Sequence, residues 1–230
     1  MNHLHFKSIS STQTFLKEKA EELLKTDPEI LITCDEQTHG IGRHGNEWIH
    51  NPHSLAMSCT LAPANPITLT TIEIGILTRE YFFKKYQKEI FLKWPNDLLS
   101  VKKQKLGGII SNFHDELTII VGIGINFGKL EIKSNHFKSG LDSIEFSSDI
   151  NIKNFALNFY HYLLHNRLSK PEIIEKFHQH CAHLNQEVTI ETNHGEKFNG
   201  IFLGIDEEGA ALINHQGKIT EIISGQLLMN

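Results

Sequence analysis

Cysteine is scarce in this chain and arranged in no pattern that a disulfide framework needs. Cys34, Cys59 and Cys181 are scattered and odd in number among 230 residues, as expected of reduced thiols. Long apolar runs are missing too. None approaches the ~20 residues that cross a bilayer, so no membrane partner is expected. The opening "MNHLHFKSIS" lacks an apolar signal core, and a cytoplasmic protein is expected. Positive charge is not in excess. A formal net charge of −5 gives no support to nucleic acid as a partner. No internal repeat or low-complexity segment is evident. With 40% hydrophobic and 21% charged residues, the chain has ordinary soluble composition and the length for one sizeable core plus a small second domain.

Histidine is abundant, at 15 residues, and "HQHCAH" (178–183) is its densest cluster. A metal site needs three or four ligands converging on a point. On a helix His180 and His183 share one face, offset from that of His178 and Cys181. A polar helix end is the expected reading.

"STQTFLKEKAEELL" (11–24) opens on hydroxyl residues and continues as an amphipathic helix. "EILITCDEQ" (29–37) and "SLAMSCTL" (54–61) read as strands. Residues 70–88 have helical apolar spacing with basic residues at the end. "IFLKW" follows, then "KLGGIISNF" and "ELTIIVGIGIN", which flank a short polar "HD" as a hairpin. Residues 151–168 and 171–183 read as two helices, the second opening on Pro171. From Glu187 short strands alternate with Gly195, Gly204, Gly209 and Gly217, the texture of a small β-barrel.

"HGIGRHGNEW" (39–48) places Gly40, Gly42 and Gly45 at the G-x-G-x-x-G spacing. A dinucleotide-binding turn must run directly from strand into helix. Here "NEWIHNPHSLAM" follows, with Pro52 and no helical period, so that reading fails. Glycine backbone still lets a ligand approach closely, and Arg43 offers a cation for phosphate or carboxylate. A surface loop with one arginine is the plain alternative. "KWPND" (93–97) gathers Lys93, Asn96 and Asp97 around a proline that marks a strand end. Asp97 with Asn96 suits Mg²⁺ held with phosphate oxygens, and Lys105 suits an oxygen where charge develops. Equally, Lys93 and Lys105 read as solvated ends of edge strands. Asn126, ending "VGIGIN", offers an amide to an adenine edge or closes a tight turn.

Taken in order, "STQ" (11–13), "EQTHGIGRHGNEW" (36–48), "KWPND", "KLGGII" (105–110) and "GIGIN" (122–126) resemble the motifs of biotin protein ligases. The β-rich tail is similar to that family's SH3-like C-terminal domain. The resemblance covers nearly the whole chain and implies an α+β fold: a mixed-sheet catalytic domain over 1–184 and a small SH3-like barrel over 185–230. No N-terminal winged-helix domain is evident, so the monofunctional class is expected.

The resemblance implies formation of biotinyl-5′-AMP from biotin and ATP, with Mg²⁺. Biotin then passes to a lysine of the biotin carboxyl carrier protein of acetyl-CoA carboxylase or a related carboxylase; a homodimer is admitted. It assigns Ser11, Thr12, Gln13 and Gln37 to the ureido ring and its surroundings. Gly40, Ile41, Gly42, Arg43, Lys105, Gly108, Gly122 and Gly124 complete the biotin set. Arg43, Trp48, Lys93, Asn96 and Asn126 fall to the nucleotide, whereas Trp94 is read as packing. Lys105, Arg43 and Asp97 are the catalytic candidates, Asp97 as Mg²⁺ ligand and as base or orienting group. Two departures stand out: Ile41 replaces a usual loop arginine, and Gln13 a usual asparagine. A lipoate–protein ligase and a non-catalytic biotin or adenylate sensor are the alternatives. The polar "STQ"/Gln37 set favours a ureido group over a dithiolane.

Overall fold

The chain begins with a strand that its composition disguises. A computed structural model describes residues 1–52, 54–131, 140–147 and 150–229. β1 (Asn2–Ile9) carries His3, His5 and Lys7 among its apolar residues, and no strand is expected there from pattern alone. Thr33 accommodates the polarity: its Oγ1 lies 2.9 Å from both His3 Nε2 and His5 Nδ1. α1 (Thr12–Leu23) then starts where the Ser11 hydroxyl accepts the Thr14 N–H, satisfying one of the helix's free donors. Leu16 and Ala20 of α1 pack against Ile30 and Ile32 of β2 (Ile30–Gln37) in a small cluster of their own. β2 pairs in parallel with β1.

A two-stranded hairpin, β3 (Gly40–Ile41) with β4 (Glu47–Trp48), carries the glycine loop. β5 (Leu55–Leu61) runs antiparallel to β2, and α2 (Thr70–Tyr86) follows. β6 (Phe91–Lys93), β7 (Asp97–Leu99), β8 (Lys105–Phe113) and β9 (Ile119–Ile125) form an antiparallel meander. The sheet order is β1-β2-β5-β9-β8-β7-β6, and with its one parallel pair the sheet is mixed, as expected. The β8–β9 connection spans 114–118 and not "HD" alone. Its closure by hydrogen bonds between Asp115 and Thr118 leaves Leu117 82% exposed.

α3 (Ile152–His165) and α4 (Lys170–His180) both end before the expected boundaries. Arg167 leaves the helix to grip Glu73, buried in the first turn of α2. Ser169 and Glu172 form a capping box that starts α4. Beyond His180 the chain turns extended, and the Ala182 N–H donates to Leu92 O on β6. "HQHCAH" is therefore split between a helix end, a single bridge residue at Cys181 and the turn that follows. Phe155, Phe159 and Leu163 of α3 join Leu55, Met57, Cys59 and Leu61 of β5 in the main core. Each such side chain contributes about 1.5–3 kcal/mol on burial.

The tail forms β10 (Glu187–Glu191), β11 (Lys197–Ile205), β12 (Ala211–His215), β13 (Lys218–Ile222) and β14 (Gln226–Met229). They lie in the antiparallel order β13-β12-β11-β10-β14, an SH3-like barrel. β14 has no alternation that announces it in the sequence. The four glycines have φ of +82°, +125°, +81° and +86°; Gly195, Gly209 and Gly217 supply turn residues, while Gly204 sits at the register shift within β11. A Cβ on Gly204 would overlap the His178 ring, whose Nε2 accepts the Ile205 N–H at 3.0 Å.

His183 is wholly buried, its ring 4.3 Å from that of Phe202. Burial, with Lys93 and Lys103 nearby, pushes its pKa down to about 3, so it is neutral. The cluster thus ends α4 with His178 and His180, as expected, and through His183 also joins the barrel to the sheet. Among the described residues no three His, Cys, Asp or Glu side chains are grouped as a metal site. No helix among them is long and apolar enough to cross a membrane.

Candidate active site

Alternation along β5 and β9 divides their side chains between two faces. Met57 and Cys59, with Val121 and Ile125, enter the main core. Ala56 and Ser58, with Gly122 and Gly124, line a cavity of about 680 Å³. The β3–β4 hairpin covers it, and Gly225 to Leu228 of the barrel form part of its wall. A second cavity of about 520 Å³ adjoins it across Gln13, Arg43, Asn96 and Ile110.

The floor depends on missing side chains. A Cβ on Gly122 would stand 2.6 Å from Gln13 Oε1, and one on Gly124 2.7 Å from the Trp48 ring. Both glycines are thus set by close approach.

One end of the cavity is neutral, and its amides are oriented. Gln37 Oε1 accepts from Thr12 N at 2.9 Å and Thr12 Oγ1 at 3.1 Å, and Thr12 Oγ1 also meets Ser58 Oγ at 2.9 Å. Gln37 Nε2 is thereby left as a donor. Gln13 is the reverse. Its Nε2 donates to Asn112 Oδ1 at 3.0 Å and Ile120 O at 3.2 Å, and its buried Oε1 has no partner. A buried acceptor without a partner is costly unless a ligand or water completes it. Trp48 Nε1 is a second buried group without a partner. The neutral end therefore offers both donors and an acceptor.

The other end is cationic. Lys93 and Asp97 are direct cross-strand partners in the β6–β7 pair, with Lys93 Nζ 3.0 Å from Asp97 Oδ2. Lys105 Nζ lies 2.6 Å from Asp97 Oδ1. Burial raises the Asp97 pKa, but Lys105 and Lys93 together outweigh it and hold the carboxyl below the ordinary range. Arg43 Nη1 donates to Gly225 O at 3.2 Å and approaches Asn96 Oδ1 at 3.5 Å. Burial lowers the Arg43 pKa, partly offset by Asp97; a guanidinium remains charged nonetheless.

Most of the expected residues meet around this cavity: Ser11, Thr12, Gln13, Gln37, Ile41, Gly42, Arg43, Trp48, Lys93, Asn96, Asp97, Lys105, Gly108, Gly122 and Gly124. Two do not. Gly40 lies under Trp48, with a Cβ there 3.0 Å from its ring. Asn126 is buried beyond the lining, its Nδ2 donating to Asp142 O at 3.3 Å.

The geometry of Asp97 bears on its two expected roles. Both its oxygens are engaged by ammonium groups, so its donor set does not fit a direct Mg²⁺ ligand. A carboxylate whose proton affinity is depressed by two lysines is a poor base, and its Oδ1 is set against Lys105 Nζ. Lys93, 7% exposed, is no solvated strand end. Trp94, 1% exposed, packs as expected and donates to Gly209 O at 3.0 Å. Sequence reading missed Ser58, Asn112 and Lys103 in the walls. For Ser58 the signal was present, since it alternates with apolar residues in "SLAMSCTL".

A mixed sheet with this cavity and an appended barrel defines a known class. The chain belongs to the biotin/lipoate A/B protein ligase family, whose pattern matches residues 5–126, more than half its length. Residues 183–226 match the biotin protein ligase C-terminal domain, which sets the chain on the biotin side of that family. It is 27% identical to the bifunctional ligase/repressor BirA of Escherichia coli, over 95% of this chain and 71% of that protein. The biotin protein ligase of Aquifex aeolicus, solved with biotin and ATP, superposes with a TM-score of 0.75 at 26% identity, covering 99% of this chain and 97% of that one. The biotin acetyl coenzyme A carboxylase synthetase of Helicobacter pylori, solved with biotinylated ATP, gives 0.71 at 25% identity, covering 96% and 99%.

Proposed function

We propose that this chain is an ATP-dependent biotin protein ligase whose chemistry lies in residues 1–184, with the barrel over 185–230 closing the site. One observation carries the reading. A single cavity joins a neutral end, with Gln37 Nε2 as donor and Gln13 Oε1 as acceptor, to a cationic end at Arg43 and Lys105. A cyclic urea has a carbonyl to accept and N–H groups to donate, and biotin's carboxylate tail then extends toward the cations.

In the first step the biotin carboxylate oxygen attacks the α-phosphorus of ATP. The bond to the bridging oxygen breaks, and pyrophosphate leaves with the electron pair. Arg43 and Lys105 offset the repulsion between carboxylate and phosphate and stabilise the crowded anionic transition state. Mg²⁺ arriving with ATP would neutralise charge on the phosphates; Asp97, engaged by Lys93 and Lys105, would not hold it. In the second step a carrier lysine amine attacks the acyl carbon, and AMP leaves. Asp97 takes up no proton here, so the amine arrives neutral, Lys105 supports the developing oxyanion, and the nitrogen's surplus proton leaves to the departing AMP phosphate or to water. The acceptor is the carrier protein of a biotin-dependent carboxylase. Incubation with biotin, MgATP and such a carrier domain should raise the carrier's intact mass by one biotinyl group. Activation of lipoate in place of biotin, or binding without transfer, would overturn the reading.

The walls lead to three predictions. Gly122→Ala sets a methyl group against Gln13 Oε1, which its two donated bonds hold in place. Biotin affinity should fall about tenfold, one neutral hydrogen bond's worth, as titration calorimetry would show. Arg43→Gly removes the loop's cation, so stopped-flow release of preformed biotinyl-AMP should quicken by about 10- to 150-fold, the range of a charge-assisted bond. Ile41→Arg should slow release, though Glu47 lies directly across the hairpin and competes for the introduced charge. An unchanged rate would show that the loop does not use that position.

A further inference from the structure

The charges lining the larger cavity are unequally paired. Its cations are Arg43, Lys93, Lys103 and Lys105, and its carboxylates Glu47 and Asp97. Lys93 and Lys105 share Asp97. Among the described residues, Arg43 and Lys103 have no carboxylate partner; their hydrogen bonds go to neutral oxygens. Lys103 Nζ lies 3.3 Å from Gln186 Oε1, where the chain enters the barrel. A polyanion is drawn by cations that are not already neutralised, so Lys103 is available to one in a way that Lys93 is not.

The backbone at Lys103 adds a second observation. Lys103 sits in the tight turn between β7 and β8, its N–H donating to Ser100 O at 2.9 Å and the Ser100 N–H to Gln104 O at 2.9 Å. Its φ is +60°, a left-handed conformation that glycine or asparagine adopts at lower cost than lysine. The turn itself has no use for a long side chain. Lysine is present against the local preference, at the mouth of a cavity that has to admit a triphosphate.

We propose that Lys103 is a polyphosphate-binding residue that contacts the β- and γ-phosphates of ATP and then the departing pyrophosphate, with Gln186 holding its ammonium while the cavity is empty. The proposal rests on the ligase reading, since it assumes that ATP enters this cavity. It divides the cations by task. Arg43 and Lys105 act where the acyl–phosphate bond forms, and Lys103 acts on the group that leaves.

Lys103→Gly and Lys103→Arg separate this role from a structural one. The glycine variant relieves the left-handed strain and should melt at or above the wild-type temperature. Its KM for ATP and its inhibition constant for inorganic pyrophosphate should each rise about fivefold or more, the scale of a partly exposed charge-assisted contact. Biotin affinity without ATP should stay as in the wild type. So should the release rate of preformed biotinyl-AMP, which has no β- or γ-phosphate. Lys103→Arg should restore pyrophosphate inhibition. Pyrophosphate inhibition and KM for ATP within twofold of wild type in the glycine variant would overturn the proposal. So would an equal loss of biotin and ATP affinity that arginine does not rescue. A wild-type protein that shows no biotin-dependent exchange of pyrophosphate into ATP would instead overturn the ligase reading.

Discussion

Replacing Lys105 with alanine is expected to slow biotin-dependent ATP–pyrophosphate exchange by about 10²-fold or more, the usual cost of removing one preorganised electrostatic donor from a reacting centre. The surroundings make this a clean substitution. The Lys105 N–H donates to Gly140 O and its carbonyl accepts from Asp142 N, so the backbone is held on both sides without the side chain. Asp97 keeps Lys93 as its partner at 3.0 Å, and no buried carboxylate is left alone. The loss should fall on kcat more than on biotin affinity, because the ammonium matters most as charge develops during phosphoryl transfer. Lys105→Arg keeps the charge but replaces a point ammonium with a planar fork, and should recover only part of the rate. Exchange within a few-fold of wild type in the alanine variant would remove Lys105 from the chemistry.

The chemistry was legible where it is written in consecutive residues. "KWPND" and "KLGGII" place Lys93, Asp97 and Lys105 within 13 positions, and the glycines of the loop announce close backbone approach without any fold in hand. What each residue does was less legible, because that depends on register. Asp97 stands opposite Lys93 in the β6–β7 pair and opposite Gly108 in β8. This traps its carboxylate between two ammonium groups and turns an apparent metal ligand into a counter-ion. β1 was hidden because its histidines are satisfied by Thr33 on the neighbouring strand, a partner that no local pattern reveals. The contact from Arg43 to Gly225 joins residues 182 positions apart and exists only once the barrel has docked. Nothing in the sequence sets Lys103 apart, because its left-handed backbone exists only in the folded turn.

Asp97→Asn should destabilise the protein by about 3–5 kcal/mol at neutral pH, the cost of leaving a buried charge without its partner. Lys93 is only 7% exposed, and its ammonium has no other carboxylate within 4 Å among the described residues. The asparagine oxygen can accept from one lysine, but the amide nitrogen then faces the other as donor against donor. Urea unfolding followed by tryptophan fluorescence would measure the loss as a lower midpoint.

The effect has a definite pH dependence. The folded-state pKa of Asp97 lies below its ordinary 3.8, so its contribution is complete above that value. It is lost as pH falls through the depressed folded value, where the carboxyl takes up a proton in the native state too. The gap between wild type and variant should therefore be constant from neutral pH down to about 5 and narrow below about 4. A second substitution tests the cause. Lys93→Met removes the charge that Asp97 neutralises, so Asp97→Asn should cost much less in that background, with a coupling above about 1 kcal/mol in the double-mutant cycle. Additive losses would mean that Asp97 stabilises the fold through something other than its lysines, and its assignment as their counter-ion would fail.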